Sequence, residues 1–214
     1  MTRLIVTDVD STLIQQEVIE LLADHAGTRA EVTDVTERAM RGEIDFAASL
    51  RERVATLKGV PESAFADVLA AVDLMPGARE LVAGARERGW EVGLVSGGFE
   101  EIVAPLAASL GIARFRANRL EVSEGLLTGR TVGTVIDRDT KAATLCAWAD
   151  ELGLPLSATV AVGDGANDLG MIAVAGVGIA FQAKPVVRER APYSVEGRLD
   201  AVLDLLDQLD ARRV

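Results

Sequence analysis

The sequence predicts an α/β fold, a Rossmann-like doubly wound parallel sheet with a small helical cap inserted after the first strand. Leu4-Ile5-Val6, Glu91 to Val95 and Ala158 to Val162 are short apolar runs without polar alternation, as in parallel strands covered on both faces. Each run leads into small or acidic residues and then a helical pattern, and ligands of such sheets collect beyond the strands' carboxyl ends. Between the first two runs, residues 14–73 carry helical periodicity, too long a stretch for a simple crossover. The expected division is a catalytic core of residues 1–13 and 74–214, with a cap of residues 14–73.

Composition narrows the function. At 214 residues the chain is long enough to bury a substantial core. A hydrophobic share of 49% and a charged share of 26% exclude a mostly disordered chain. No apolar run is long enough to span a bilayer, and Asp8 and Asp10 interrupt the first run too early for a signal peptide, so a cytoplasmic protein is expected. A net charge of −11 argues against nucleic-acid binding, which needs clustered Lys and Arg. Any phosphate site must then be local, and a divalent cation is needed to screen the carboxylates, with oxygen ligands favouring Mg²⁺ over zinc. The single cysteine, Cys146, reads as a small buried hydrophobe, and the single histidine, His25, as a helix C-terminal residue. Acid and base work falls to carboxylates.

Along the chain, Asp8-Val9-Asp10-Ser11-Thr12 closes the first strand. Side chains two apart on a strand share a face, so Asp8 and Asp10 can aim at one point and hold one cation, although the same residues also suit a solvated turn. In the helical stretch, Val18, Leu21 and Leu22, then Phe46, Leu50, Val54 and Leu57, then Phe65, Val68, Leu69 and Val72 line successive faces. Gly27, Gly42 and Gly59-Val60-Pro61 divide it into about four helices. Met75-Pro76-Gly77 restarts a helix through Arg88, with Pro76 near its first turn.

The second run, Glu91 to Val95, leads into Ser96-Gly97-Gly98, either a turn whose free N–H groups admit a phosphate or ordinary glycine punctuation. Phe115 to Val122 reads as a strand, followed by a hairpin-like excursion ending near Ile136. Lys141, early in the next helix, is placed either to reach a phosphate or to sit solvated on the surface. Gly163 and Gly165 superficially match a dinucleotide fingerprint, but Asp168 replaces its third glycine, so that reading is rejected. Asp164 is instead placed to ligate a cation opposite Asp8, with Asn167 and Asp168 as further ligands or orienting groups. The segments Gly176 to Ala180 and Leu199 to Leu209 look structural.

In this order, Asp8-x-Asp10-x-Thr12, Ser96-Gly97-Gly98, Lys141 and Gly163-Asp164-Gly165-Ala166-Asn167-Asp168 resemble the haloacid dehalogenase-like phosphatases. Across nearly its full length the chain is similar to the phosphoserine phosphatases. The closer likeness lies in Asp10 to Leu13 with Glu17, Gly42 to Phe46, Ser49 to Arg53, Val95 to Phe99, Ala117 to Leu120 and Val162 to Asp168. Val9 departs from the Phe that family members often carry, with an effect expected on packing alone. Some relatives carry a regulatory domain before the first strand; this chain begins at that strand, so feedback through such a domain is not assumed.

The resemblance implies a Mg²⁺-dependent phosphatase that hydrolyses phosphoserine through an aspartyl-phosphate, the last step of serine biosynthesis. It implies Asp8 as nucleophile and Asp10 as general acid and base, with Mg²⁺ held by Asp8, the Asp10 backbone carbonyl and Asp164. Ser96, Gly97 and Lys141 would grip the phosphate, and Asn167 and Asp168 would support substrate or metal. Glu17 would meet the substrate ammonium and Arg53 its carboxylate, with Met40 and Phe46 walling the pocket. Read without the family, Glu17 and Arg53 are ordinary helix-surface charges and Met40 and Phe46 ordinary packing. The alternatives are the same fold acting on another monoester or transferring phosphoryl to another alcohol, a receiver-like phospho-acceptor, and a dinucleotide-binding oxidoreductase. The long insertion and the early acidic pair disfavour the second, and the missing fingerprint the third.

Overall fold

The computed structural model describes residues 2–40 and 43–212, Met40 by its backbone alone. Its centre is a seven-stranded sheet of β1 (Leu4–Thr7), β2 (Glu91–Phe99), β3 (Arg114–Ser123), β4 (Leu126–Val132), β5 (Thr159–Gly163), β6 (Val177–Phe181) and β7 (Tyr193–Val195). The spatial order is β4-β3-β2-β1-β5-β6-β7, with every pair parallel except β3 and β4. β1 is therefore central, and the chain winds outward from it on both sides, which opens a crevice at its carboxyl end. The apolar runs bury both faces: Ile5 points into one hydrophobic cluster, whereas Leu4 and Val6 point into the other with Leu145, Ala161 and Met171.

The expected helical insertion forms four helices, α1 (Val18–Ala26), α2 (Arg29–Met40), α3 (Phe46–Ala55) and α4 (Ala64–Ala71). Its apolar faces, including Leu22, Leu50, Val54, Leu57 and Val68, join the same cluster as Ile5. Two seams tie it to the sheet. At its base, Ile14 bridges Leu74 and the Gln15 N–H donates to the Asp73 carbonyl. At the sheet edge, the Gly59 N–H donates to the Leu127 carbonyl, the Leu127 N–H to the Val60 carbonyl and the Glu62 N–H to the Gly125 carbonyl, at 2.8 to 2.9 Å.

After the insertion come α5 (Ala78–Glu87), α6 (Glu100–Leu110), α7 (Arg138–Glu151), α8 (Leu169–Val174), α9 (Pro185–Arg188) and α10 (Ala201–Ala211). Asp137 caps α7 by accepting from the Thr140 N–H, which fixes the turn carrying Lys141. No helix among the described residues is long and apolar enough to cross a membrane.

Several expectations need correcting. Ser96-Gly97-Gly98 does not leave the sheet; β2 continues through Phe99 with a register shift against β3 between Val95 and Phe99. The buried Asn118 holds it there, its Nδ2 donating to the Gly97 carbonyl and its Oδ1 accepting from the Ile136 N–H. α5 begins at Ala78, because Gly77 takes a left-handed φ of 89° and breaks the helix away from Pro76. The hairpin excursion becomes the antiparallel edge of the same sheet. Cys146, expected to be buried, is half-buried, whereas His25 takes its expected place in the last turn of α1, where it is exposed. Gly42 lies outside the described residues.

Candidate active site

Beyond the carboxyl ends of β1, β2 and β5, and roofed by α1, α2 and α3, lies a cavity of about 750 Å³. Asp8, Asp10, Glu17, Phe46, Arg53, Gly97, Asp164 and Asn167 all line it, so residues far apart in sequence converge as expected. Ser96 and Lys141 do not reach its surface; both are wholly buried behind it. The Met40 side chain lies outside the described residues.

The floor is ionic. The Asp8 N–H donates to the Val162 carbonyl at 2.9 Å, extending the β1–β5 pairing and directing Asp8 into the crevice. Carboxylate oxygens of Asp8, Asp164 and Asp168 lie within 4.8 Å of one another. Lys141 Nζ donates at 2.7 Å to both Asp8 Oδ1 and Asp168 Oδ1, which rules out the solvated-lysine alternative. The second oxygen of Asp168 accepts from the Gly165 N–H at 3.0 Å. Gly163 exists for this arrangement: a Cβ there would stand 2.4 Å from the Asp168 carboxyl carbon. We therefore expect Gly163→Ala to displace Asp168 from Lys141, lowering stability by about 1–3 kcal/mol in a denaturant melt.

Burial is the main influence on Asp8, Asp10 and Asp164. It raises Asp8 well above the ordinary carboxylate range, with Asp168 and Asp164 adding repulsion that Lys141 partly offsets. Asp164 is pushed up to about 7 by burial and then by Asp168. Asp10 is raised well above the ordinary range by burial, then by the negative charge of Glu17. For Lys141 burial acts downward, but Asp168 and Asp8 outweigh it and keep the ammonium charged.

Three crowded carboxylates balanced by one ammonium leave excess negative charge in a water-poor site. All the donors are oxygen, which suits a hard divalent cation; the only histidine is exposed at the end of α1, and Cys146 packs against the other face of the sheet. With Asp168 engaged by Lys141 and the Gly165 N–H, Asp8 and Asp164 are the residues that would hold it.

The upper part of the cavity carries side chains of both charges. Arg53 is partly buried, its Nε donating at 3.3 Å to the Ser49 carbonyl, and no carboxylate forms a salt bridge with it among the described residues. Glu17 is oriented by Ser11, whose Oγ donates to Glu17 Oε1 at 2.6 Å. Ser11 itself has a φ of 55°, an uncommon conformation for a non-glycine residue. Close approach is again built from glycine: a Cβ on Gly98 would meet Asp10 Oδ2 at 2.9 Å, and one on Gly97 would meet Phe46 Cζ at 3.0 Å. Beside Gly98, the Ser96 Oγ accepts from the Gly98 N–H at 2.8 Å, leaving its own proton free to donate.

Sequence reasoning missed four participants. Ser11 and Asn118 act through neighbours, on Glu17 and Gly97; only Asn118, a buried amide within an otherwise strand-like run, left a trace. Arg138 and Lys184 also line the cavity, and an isolated surface cation has no pattern by which to be found.

A profile of the haloacid dehalogenase-like hydrolases matches residues 5–173. The phosphoserine phosphatase of Streptococcus thermophilus is 55% identical over 207 residues, 96% of each chain. That of Mycobacterium tuberculosis is 53% identical over 95% of this chain, which spans 50% of that longer protein. The solved structure of a phospho-aspartyl intermediate analogue of phosphoserine phosphatase superposes with a TM-score of 0.90 at 39% identity, over 95% of this chain and 98% of that one. With its central acidic strand end, helical insertion and buried lysine, the chain belongs to the haloacid dehalogenase-like hydrolase family.

Proposed function

We propose that the chain is a Mg²⁺-dependent phosphoserine phosphatase, catalysing the last step of serine biosynthesis, with residues 14–73 acting as its cap. The observation that carries this reading is the pairing, in one cavity, of a buried acidic floor with an Arg53 guanidinium that has no carboxylate salt bridge among the described residues. The phosphoserine phosphatases to which the chain is 53–55% identical support it.

In this reading the Asp8 carboxylate attacks phosphorus and expels the serine oxygen. Asp10, whose pKa burial raises, donates a proton to the leaving oxygen. The aspartyl-phosphate on Asp8 is then hydrolysed by water, with Asp10 taking the water's proton, so one difficult displacement becomes two easier ones. The Ser96 hydroxyl and the third proton of Lys141 lie behind the cavity wall and would reach phosphoryl oxygens as that wall shifts on substrate entry, while Asn167 borders the phosphate beside Gly97. Mg²⁺, held by Asp8, Asp164 and the Asp10 backbone carbonyl, would neutralise phosphoryl charge. Glu17 meets the substrate ammonium, Arg53 its carboxylate in a charge-assisted pair, and Phe46 covers the site against water.

The test is a panel of phosphorylated metabolites with Mg²⁺ or with chelator, run on wild type and Arg53→Ala. Phosphoserine should be preferred and its hydrolysis lost with chelator. Arg53→Ala should reduce kcat/KM for phosphoserine at least about tenfold, the equivalent of one charge-assisted hydrogen bond. Phosphoethanolamine, which lacks the carboxylate, should lose much less. Equal loss on both substrates would assign Arg53 to cap structure, and equal activity on phosphoserine and sugar phosphates would end the substrate assignment.

A further inference from the structure

We propose that Lys184 is the replaceable counter-ion of Asp164, occupying the neighbourhood of the divalent cation when the cation is absent and setting its affinity by competing with it. This rests on the reading that Asp8 and Asp164 hold that cation.

Two lysines meet the acidic floor in opposite ways. Lys141 has no exposure and sits at 2.7 Å from two carboxylates, a fixed component. Lys184 Nζ stands 3.9 Å from Asp164 Oδ2 with its side chain 49% exposed, too far for a hydrogen bond and free to swing into solvent. Its backbone, by contrast, is held firmly. The chain leaving β6 turns at Gln182, which takes a φ of 42°, and this turn is fixed by the Gln182 N–H donating to the Val195 carbonyl and its Nε2 to the Gly197 carbonyl. The Lys184 N–H then donates to the Asp164 carbonyl at 3.1 Å, while buried Ala183 and Val187 flank it on either side. A non-glycine residue in the left-handed region, held by these hydrogen bonds and by a third from its Nε2 to Met75 Sδ, fixes the turn. Its result is a firmly anchored main chain carrying a loosely held ammonium beside one proposed cation ligand.

A cation bound between Asp8 and Asp164 would lie within Coulomb reach of that ammonium. Lys184 must then retreat along its flexible stem, and its charge opposes loading of the site. At a half-exposed position solvent weakens the repulsion without abolishing it, which corresponds to roughly three- to tenfold in cation affinity at low salt.

The experiment is Mg²⁺ titration by calorimetry, without substrate, on the full wild-type chain, Lys184→Met and Lys184→Arg. Lys184→Met should bind Mg²⁺ about three- to tenfold more tightly, with the difference narrowing as salt rises, and Lys184→Arg should return to the wild-type value. Equal or weaker binding by Lys184→Met overturns the proposal. So does Lys184→Arg behaving like Lys184→Met, since packing and not charge would then be responsible. A raised KM for phosphoserine with unchanged Mg²⁺ affinity reassigns Lys184 to the substrate and likewise overturns it. Absence of Mg²⁺ binding by the wild type refutes the cation reading itself, and the proposal with it.

Discussion

Asp8→Asn should abolish turnover, by a factor on the order of 10⁴ to 10⁶, while leaving the protein folded. The amide matches the carboxylate in shape but has no anionic oxygen with which to attack phosphorus. Its effect on stability should run the other way. Asp8 sits buried beside Asp168 and Asp164, and burial raises its pKa well above the unfolded value. An acid raised in this way destabilises the native state increasingly as pH climbs from the unfolded pKa towards the folded one. Without added metal at neutral pH, the variant should therefore melt no lower than wild type. Rapid quenching with radiolabelled phosphoserine gives the decisive readout: labelled protein from Asp8→Asn would remove Asp8 as the nucleophile.

Lys141→Met should be the most damaging change to fold and function together. It strips the counter-charge from Asp8 and Asp168, both almost wholly buried, and breaking a buried ion pair from one side costs about 3–5 kcal/mol. The sign of the pH dependence follows from the same charges. Lys141 is charged throughout the neutral range, so its support is present there in wild type. Without it the Asp8 pKa rises further, and the deficit should be larger at pH 8 than at pH 5, where protonation relieves the crowding. Turnover should fall on the order of 10²- to 10³-fold, as for loss of one preorganised electrostatic donor. A pH-independent deficit in urea melts would mean that Lys141 contributes packing and not charge.

What could be read from sequence follows from the range of each interaction. The core runs at Leu4 to Val6, Glu91 to Val95 and Ala158 to Val162 were legible because a strand buried on both faces is largely apolar. Asp8 and Asp164 were legible because a carboxylate at the end of such a run stands out against it. The state of Lys141 was not, since its partners lie 133 and 27 residues away and no local pattern distinguishes a buried lysine from a solvated one. The extended path of Ser96 to Phe99 was hidden for the same reason: glycines signal a turn locally, while Asn118 on the neighbouring strand holds them in the sheet. Glu17 and Arg53 gained meaning only from family resemblance, because in a helix pattern each is one more polar position.

The two seams that join the helical insertion to the sheet have a mechanical consequence. A segment pinned only at Ile14 and Leu74 would pivot like a door. The second attachment, three backbone hydrogen bonds from Gly59, Val60 and Glu62 to the β3–β4 hairpin, turns that door into a panel fastened along two sides. The margin without such backbone bonds among the described residues is the one that carries Thr36, Ala39 and Ile44 over the cavity, since the far end of α3 packs on β4 at Gly129. Widening the mouth by any other route must drag the outermost strands along or unzip that attachment. The sheet's edge thus braces the roof of the cavity, and residues such as Leu127, which do not border the cavity, are tied to that roof through the backbone.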